Sequence, residues 1–252
     1  MTQQLAPWSV TGNASPKKRG FPSWGLKVAM AITGLIWAAF VLVHLFGNLK
    51  VFVGWEDFNG YAHWLRHALY PLLPSGFLLW AFRIVLASAL VIHVYAATVL
   101  YIRGRRGGTV RSWRNLQARL GKGGRLQALS AALMPVTGLI ILAFVIFHIL
   151  DLTIGLPPVA GAGFEAATGE TSFAYQNLVA SFQRPWIAAF YVITMVLLSL
   201  HVFHGVRTAA TDLGAMGYRL RAVATWVAGF AAIAILLGNG LIPLAVQFGV
   251  LT

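Results

Sequence analysis

The chain has 252 residues, 58% of them hydrophobic and only 10% charged, and its mean hydropathy is +0.74. This composition excludes a soluble globular domain and is typical of a membrane protein with several spans. The sequence contains no cysteine, which excludes disulfides, iron–sulfur ligation, thiolate-bound metal and covalent haem attachment. The formal charge is +13, which we attribute to loops that set membrane topology and not to nucleic-acid binding.

In chain order, the sequence predicts a short tail followed by one membrane domain. Residues 1–25 are basic and lack the small-residue cleavage site of a signal peptide, so we expect a retained cytoplasmic tail. Residues 26–252 contain five apolar stretches that reach the roughly 20 residues needed to cross a bilayer. The predicted spans are 26–47, 76–102, 128–154, 185–209 and 222–249. The expected fold is an all-α integral membrane protein with five transmembrane helices.

Two connecting segments are expected on the outer side. An amphipathic segment after the first span contains Tyr61, His63, Trp64 and His67, and we interpret its histidines as interfacial, with propionate or quinone contact as the alternative. After the third span, GLPPVAGAGFEAATGETSFAYQN (155–177) is rich in glycine and proline, which predicts an ordered or partly mobile outer loop.

The distribution of lysine and arginine indicates the orientation in a cytoplasmic (inner) membrane. Basic residues are concentrated in the N-terminal segment and in the connections after the second and fourth spans, whereas the other side holds most of the acidic residues. The basic set includes Lys17, Lys18, Arg19, Lys27, Arg103, Arg105, Arg106, Arg111, Arg114, Arg119, Lys122, Arg125, Arg207, Arg219 and Arg221. By the positive-inside rule, the N-terminus is cytoplasmic and the C-terminus lies outside.

Each of the first four spans contains a histidine, and the fifth contains none. The four are His44, His93, His148 and His201, and His204 lies one turn further along the fourth span. An ionisable side chain within a membrane is costly, so each is a functional candidate. A single such histidine is as well explained by an interhelical hydrogen bond, but four on consecutive spans favour a common role.

Counting about 1.5 Å per residue from the cytoplasmic ends, the histidines fall at two depths. His44 and His148 lie roughly 25 Å and 28 Å above the cytoplasmic edge, and His93 and His201 roughly 13 Å and 12 Å. Neutral imidazole is an axial ligand of haem iron, and four-helix bundles hold such cofactors between facing helices. The pattern predicts two bis-histidine haems b about 13 Å apart in depth. Zinc is less suitable, because it needs three or four ligands at one depth.

Three further residues fit this arrangement, each with an alternative explanation. Gly34 and Gly138 lie ten residues before His44 and His148, at the inner level, where a missing side chain leaves room for the macrocycle; close helix packing explains them equally well. Arg83 lies ten residues before His93 and could pair with a propionate of the outer haem, or it could extend to the outer interface.

Three segments resemble one known family. HLFGNLKVFVGWEDFNGYAHWLR (44–66) resembles the first-span signature of the single-chain, dihaem cytochrome b subunit of succinate dehydrogenases and fumarate reductases. MPVTGLIILAFVIFHILDLTIG (134–155) and HVFHGVRTAATDLG (201–214) are similar to its third span and to the end of its fourth span. Thr208, Asp212 and Asp151 depart from the family pattern, and Asp151 stands where many relatives have a histidine.

The resemblance implies a membrane anchor in the respiratory chain and the tricarboxylic acid cycle. His44 and His148 would ligate the distal (outer) haem, and His93 with His201, favoured over His204, the proximal (inner) one. A flavoprotein and an iron–sulfur subunit would bind on the cytoplasmic side, with succinate oxidised in the flavoprotein and electrons passed here to quinone. The basic loops would contact these partners or anionic lipid. We expect Gly47 and Asn48 to let the chain leave the membrane beside His44.

A quinone site is expected near the inner face, close to the incoming electrons. Ser23 and Lys27 could offer a hydroxyl and a cation to a quinone carbonyl; the alternative is a helix cap and an interfacial anchor. An outer quinone site near Glu56 or Asp57 also stays open.

Two other functions compete with this interpretation. A dihaem cytochrome b of a hydrogenase or formate dehydrogenase would share the histidine pattern, and a membrane transporter could use the histidines as a relay. The sequence leaves open the quinone type, the physiological direction, higher oligomers of the complex and the role of the fifth span.

Overall fold

A computed structural model describes residues 20–106 and 122–252. In these residues the chain is helical, without strands, as the sequence predicts. The α-helices are α1 (Ser23–Asn48), α2 (Trp55–His67), α3 (Phe77–Arg106), α4 (Lys122–His148), α5 (Ala174–Phe182), α6 (Pro185–Asp212) and α7 (Tyr218–Gln247). A 3₁₀ turn, Leu49–Phe52, extends α1, and a π-helical turn, Ile149–Ile154, extends α4.

Five of these segments are long and apolar enough to cross a membrane, which confirms the five predicted spans. They are Ser23–Phe52, Phe77–Arg106, Ala131–Ile154, Pro185–Asp212 and Tyr218–Gln247. They are helical because a backbone in hydrocarbon must satisfy its hydrogen bonds within the segment. The predicted basic tail up to Arg19, and Arg111, Arg114 and Arg119 of the second connection, lie outside the described residues.

The first four spans form a bundle in which α1 and α6 are central. Helix α1 packs on α3 and α6, and α4 packs on α6. The fifth span, α7, lies along α6 and also contacts α1. Near the outer end the side-chain amide of Asn48 donates to Asn239 Oδ1 at 2.9 Å, which joins α1 to α7. The fifth span is therefore part of the packed helix assembly and contributes no histidine to it.

The outer side is covered by the two short helices. Asn59 of α2 bonds both the side chain of Gln176 and the backbone N–H of Tyr175 in α5, each at 2.9 Å. The predicted outer loop thus ends in a helix that packs on α2. Helix α1 ends at Asn48 and a 3₁₀ turn continues the path to Phe52, so the exit of the chain from the membrane at Gly47 and Asn48 stays a prediction. The small size of Gly47 admits the ring of Tyr61, which a Cβ at this position would overlap.

Candidate functional site

The outer histidines, His44 and His148, face each other across the bundle. Their ring centroids lie 5.9 Å apart and their planes meet at 75°. Each ring stacks on a phenylalanine one turn earlier in its own helix, His44 on Phe40 and His148 on Phe144. These contacts restrict the orientation of both rings.

The inner histidines are each hydrogen-bonded to a neighbouring helix through Nδ1. His93 Nδ1 donates to the carbonyl of Met30 at 3.1 Å and lies 3.3 Å from Thr33 Oγ1. His201 Nδ1 lies 3.0 Å from Thr137 Oγ1. A carbonyl only accepts, so the proton of His93 is on Nδ1. The Thr137 hydroxyl donates to carbonyls of its own helix, so its oxygen accepts from His201.

The two glycines predicted to make room at the inner level lie against the inner histidines. A Cβ on Gly34 would come within 3.0 Å of Cε1 of His93, and one on Gly138 within 3.4 Å of Cε1 of His201. This confirms that residues ten positions before the outer histidines reach the inner ones. The imidazole rings pack directly against both glycines, so close helix packing explains them, and room for a macrocycle at this level stays a prediction.

The sequence analysis missed an internal repeat that produces this geometry. TGLIWAAFVLVH (33–44) and TGLIILAFVIFH (137–148) are identical at eight of twelve positions. Each copy supplies a threonine that holds an inner histidine, the adjacent glycine, a stacking phenylalanine and an outer histidine. Aligning the first and third spans with each other would have revealed Thr33 and Thr137.

The residues present fit two haem groups. An imidazole nitrogen binds a metal at about 2 Å and lies about 1 Å from its ring centre, so two axial imidazoles on one iron place their centroids roughly 6 Å apart. The observed outer separation is 5.9 Å. With Nδ1 engaged at the inner level, Nε2 is the nitrogen that remains for a metal, as is usual for ligating histidines. The buried indole N–H of Trp37 also has no partner among the described residues.

The described residues do not fit a zinc site. Among residues 20–106 and 122–252, no three His, Asp or Glu side chains converge on one point. His204 also differs from His201, because it is His201 that lies beside Thr137 and Gly138. The two depths therefore hold two imidazoles each.

Comparison with known protein families shows the family to which the chain belongs. The family model of the succinate dehydrogenase/fumarate reductase transmembrane subunit matches residues 111–238, about half of the chain. The chain belongs to this family. The matched range contains His148 and His201 of this transmembrane subunit and ends within its fifth span. No curated protein and no solved structure matches the chain.

On the outer side, Arg83 of this subunit lies beside a polar cavity. Its guanidinium lies 4.9 Å from the ring centroid of Trp80. Arg83, Arg66 and His67 line a cavity of about 200 Å³ that contains no carboxylate in its lining. His63 and His67 of α2 stack with their ring centroids 4.2 Å apart, and their interfacial role stays a prediction. A contact of Arg83 with a propionate stays a prediction.

At the inner end, a small polar cluster joins three helices. The Ser23 hydroxyl accepts from Arg103 at 3.0 Å, and Lys27 lies 3.6 Å from Asp212. Ser23 is the first helical residue, the N-cap is Pro22, and no side chain caps this helix, so the alternative of Ser23 as a helix cap is wrong. The cluster brings the two predicted quinone residues next to a carboxylate and a guanidinium that the sequence analysis did not connect with them.

A buried ionic network lies directly behind the outer histidine His148. Asp151, in the π-helical turn, is fully buried. Its Oδ1 accepts from Arg184 at 2.8 Å, and its Oδ2 accepts from Ser181 at 2.6 Å and from Tyr191 at 2.9 Å. The Tyr191 hydroxyl in turn lies 3.4 Å from Nδ1 of His148. The sequence analysis noted Asp151 only as a departure from the family pattern, because its partners lie 30 or more residues away.

Proposed function

We propose that residues 26–252 form one dihaem cytochrome b domain that anchors a succinate dehydrogenase or fumarate reductase in the membrane. His44 and His148 would hold the outer haem b, and His93 and His201 the inner one. The single observation that carries this proposal is the arrangement of four imidazoles at two depths, with glycine beside each inner ring and the outer rings 5.9 Å apart.

Hydrogen bonds orient the inner histidines before any haem is bound. Thr33, Thr137 and the Met30 carbonyl keep the proton of each inner histidine on Nδ1 and hold each ring toward the bundle interior. When bound, the two haems supply one-electron redox centres at two depths between the faces of the membrane. Quinone is the substrate that receives or supplies those electrons.

The electron donors would be partner subunits on the cytoplasmic side. The chain has no cysteine, so iron–sulfur clusters would be carried by a partner subunit. The family resemblance implies that a flavoprotein carries the flavin. The cytoplasmic orientation of the N-terminus follows from the charge distribution. Arg103, Arg105 and Arg106 at the end of α3 lie on that side and would contact the partner subunits or anionic lipid headgroups.

The register of the fourth span supports a role for Arg83 at the outer haem. Tyr191 lies ten residues before His201, and its hydroxyl reaches the outer ligand His148. Arg83 lies ten residues before His93, so it stands at the corresponding depth in the second span. We propose that its guanidinium pairs with a propionate there, because an acidic partner is absent from the described residues around it.

The inner polar cluster is the proposed quinone site. The Ser23 hydroxyl accepts from Arg103, so its own proton is available to a quinone carbonyl, and Lys27 lies one turn away. We expect S23A to raise the KM for a quinone analogue about tenfold, the loss of one hydrogen bond of about 1.4 kcal/mol, without changing the haem content. An unchanged KM in S23A would place the quinone elsewhere, for example near Glu56 or Asp57.

The test of the proposed function is a haem count on the complex purified from membranes. A dithionite-reduced minus oxidised spectrum should show haem b bands, and a pyridine haemochrome assay should give two haems per chain. The matched variants are H201A, which should lose one haem, and H204A, which should keep both. A colourless protein would contradict the proposal and favour a transporter. Two haems with copurifying hydrogenase or formate dehydrogenase subunits would contradict the assigned partners.

A further inference from the structure

The Asp151 network contains a charged pair whose carboxylate has no exposed surface. An ionisable residue within a membrane span must be paired and hydrogen-bonded, and breaking such a pair leaves an uncompensated charge. Asp151 meets this requirement with three donors, from Arg184, Ser181 and Tyr191. Arg184 is further fixed by the carbonyls of Val159 and Ser181 at 2.7 Å and 3.2 Å. Every polar group of the network has a hydrogen-bond partner, and the network reaches the outer histidine through the contact between Tyr191 and His148.

The chemistry of these groups fixes the direction of the hydrogen bonds. A carboxylate only accepts, so the single proton of the Tyr191 hydroxyl is donated to Asp151 at 2.9 Å. The Tyr191 oxygen is then left to accept from Nδ1 of His148, a long contact at 3.4 Å. The proton of His148 is therefore on Nδ1, and the lone pair that a metal requires is on Nε2.

The path of the helix brings these groups together. The π-helical turn begins directly after His148, and π turns inside helices often mark functional positions. It contains Asp151, which stands three residues after the histidine and faces the start of α6. Tyr191 lies one and a half turns into α6 and is itself buried, so its ring is held between Asp151 and His148.

His44, the other outer histidine, has no equivalent support. Among the described residues its ring makes no hydrogen bond, and the position three residues after it is Gly47, which packs on Tyr61. The two copies of the internal repeat thus differ in the residues that follow the outer histidine. An ionic hydrogen-bond chain is present behind one outer ligand and absent behind the other.

We propose that Asp151, acting through Tyr191, is a positioning residue for the outer haem that fixes the tautomer and orientation of His148 and lowers the reduction potential of that haem. This inference rests on the proposed function. A hydrogen bond accepted from Nδ1–H by a group that is itself bonded to a carboxylate makes the imidazole a stronger electron donor. A stronger donor stabilises the oxidised iron more than the reduced iron, which lowers the potential.

The decisive variant is Y191F, which removes the hydroxyl and keeps the ring and its packing. Redox titration of the purified complex, followed optically and by EPR, should show a higher potential for the outer haem and an unchanged potential for the inner haem. The outer haem is identified as the component that is missing from H148A. The matched control is Y175F, which removes an outer-side hydroxyl bonded to the carbonyl of Thr252 and should shift neither potential.

A second variant tests Asp151 itself. D151N alone would leave Arg184 unpaired, so D151N/R184Q replaces the ionic pair by two uncharged amides. It should shift the outer potential in the same direction as Y191F. Selective loss of the outer haem in Y191F, with the inner haem retained, would also support the proposal.

The outcomes separate this inference from the function on which it rests. Two haems in the wild type with unshifted potentials in Y191F, or equal shifts of both haems, would overturn the inference and leave the proposed function intact. A shift in Y191F without one in D151N/R184Q would overturn the role of Asp151. A wild-type complex without haem would overturn both proposals.

Discussion

The inner and outer histidine levels are held in different ways. At the inner level, His93 and His201 are both bonded through Nδ1 to a threonine of the repeated segment, so the two sides are nearly equivalent. At the outer level, His148 contacts Tyr191, which bonds Asp151, whereas the ring of His44 stacks on Phe40 and makes no hydrogen bond among the described residues.

This difference separates the features that the repeated residues determine from those that the neighbouring residues determine. The repeated segments supply the same threonine, glycine, phenylalanine and histidine in α1 and α4. The inner level lies inside each repeat and against a helix with a matching histidine, so it is symmetric. The outer histidine ends the repeat, and the residues beyond it differ between the two copies: Gly47 packs on α2, and Asp151 binds the start of α6.

The largest effect should come from removing one ligand at either level. H148A and H93A should each reduce the haem count from two to one per chain, because each removes one of the two side chains proposed to hold that haem. The two variants should lose different haems, which low-temperature difference spectra can distinguish. Loss of both haems in either variant would show that the levels are not independent and would break the comparison.

The two inner glycines should respond unequally to an added methyl group. In G34A the Cβ would lie 3.0 Å from His93, so the ring must move, whereas in G138A the contact with His201 is 3.4 Å. We expect G34A to weaken the inner site by about 1–3 kcal/mol, as overpacking does, and G138A to cost less. The measurement is retention of the inner haem during detergent titration. A larger loss in G138A would contradict the geometry.

The two inner threonines offer a finer test of the same symmetry. His93 keeps the Met30 carbonyl at 3.1 Å when Thr33 is replaced, whereas Thr137 is the only hydrogen-bond partner of His201 Nδ1 among the described residues. T137V should therefore lower inner-haem affinity about tenfold, and T33V less. Haem dissociation to apomyoglobin would measure both. Equal losses would show that the Met30 carbonyl does not hold the ring.

The smallest effect is expected where the fifth span meets the first. N48L and N239L remove one interhelical hydrogen bond, and such bonds are worth about 0.6 kcal/mol in membrane proteins. A double-mutant cycle followed by unfolding in SDS should give a coupling of this size. The haem count should stay at two in both variants; a lost haem would mean that α7 supports the outer ligands directly.

Local sequence patterns were sufficient for the spans and for placing Gly34 and Gly138 at the level of the inner histidines. A run of apolar residues determines a membrane helix by its length, and a constant rise per residue determines depth, so Gly34 and Gly138 were correctly predicted to lie at the inner level. The alternative of Ser23 as a helix cap was wrong, because the cap position falls on the neighbouring Pro22. The ligand roles of the histidines and the propionate contact of Arg83 stay predictions.

The sequence by itself therefore determined the helical membrane fold, its five spans, the family resemblance and the two levels of imidazoles. Each of these depends on spacing along one helix. Only the tertiary structure decided which groups bond to each imidazole, how Asp151 is neutralised and where the fifth span packs. Those contacts join residues 30 to about 190 positions apart, and their geometry depends on how helices pack against one another.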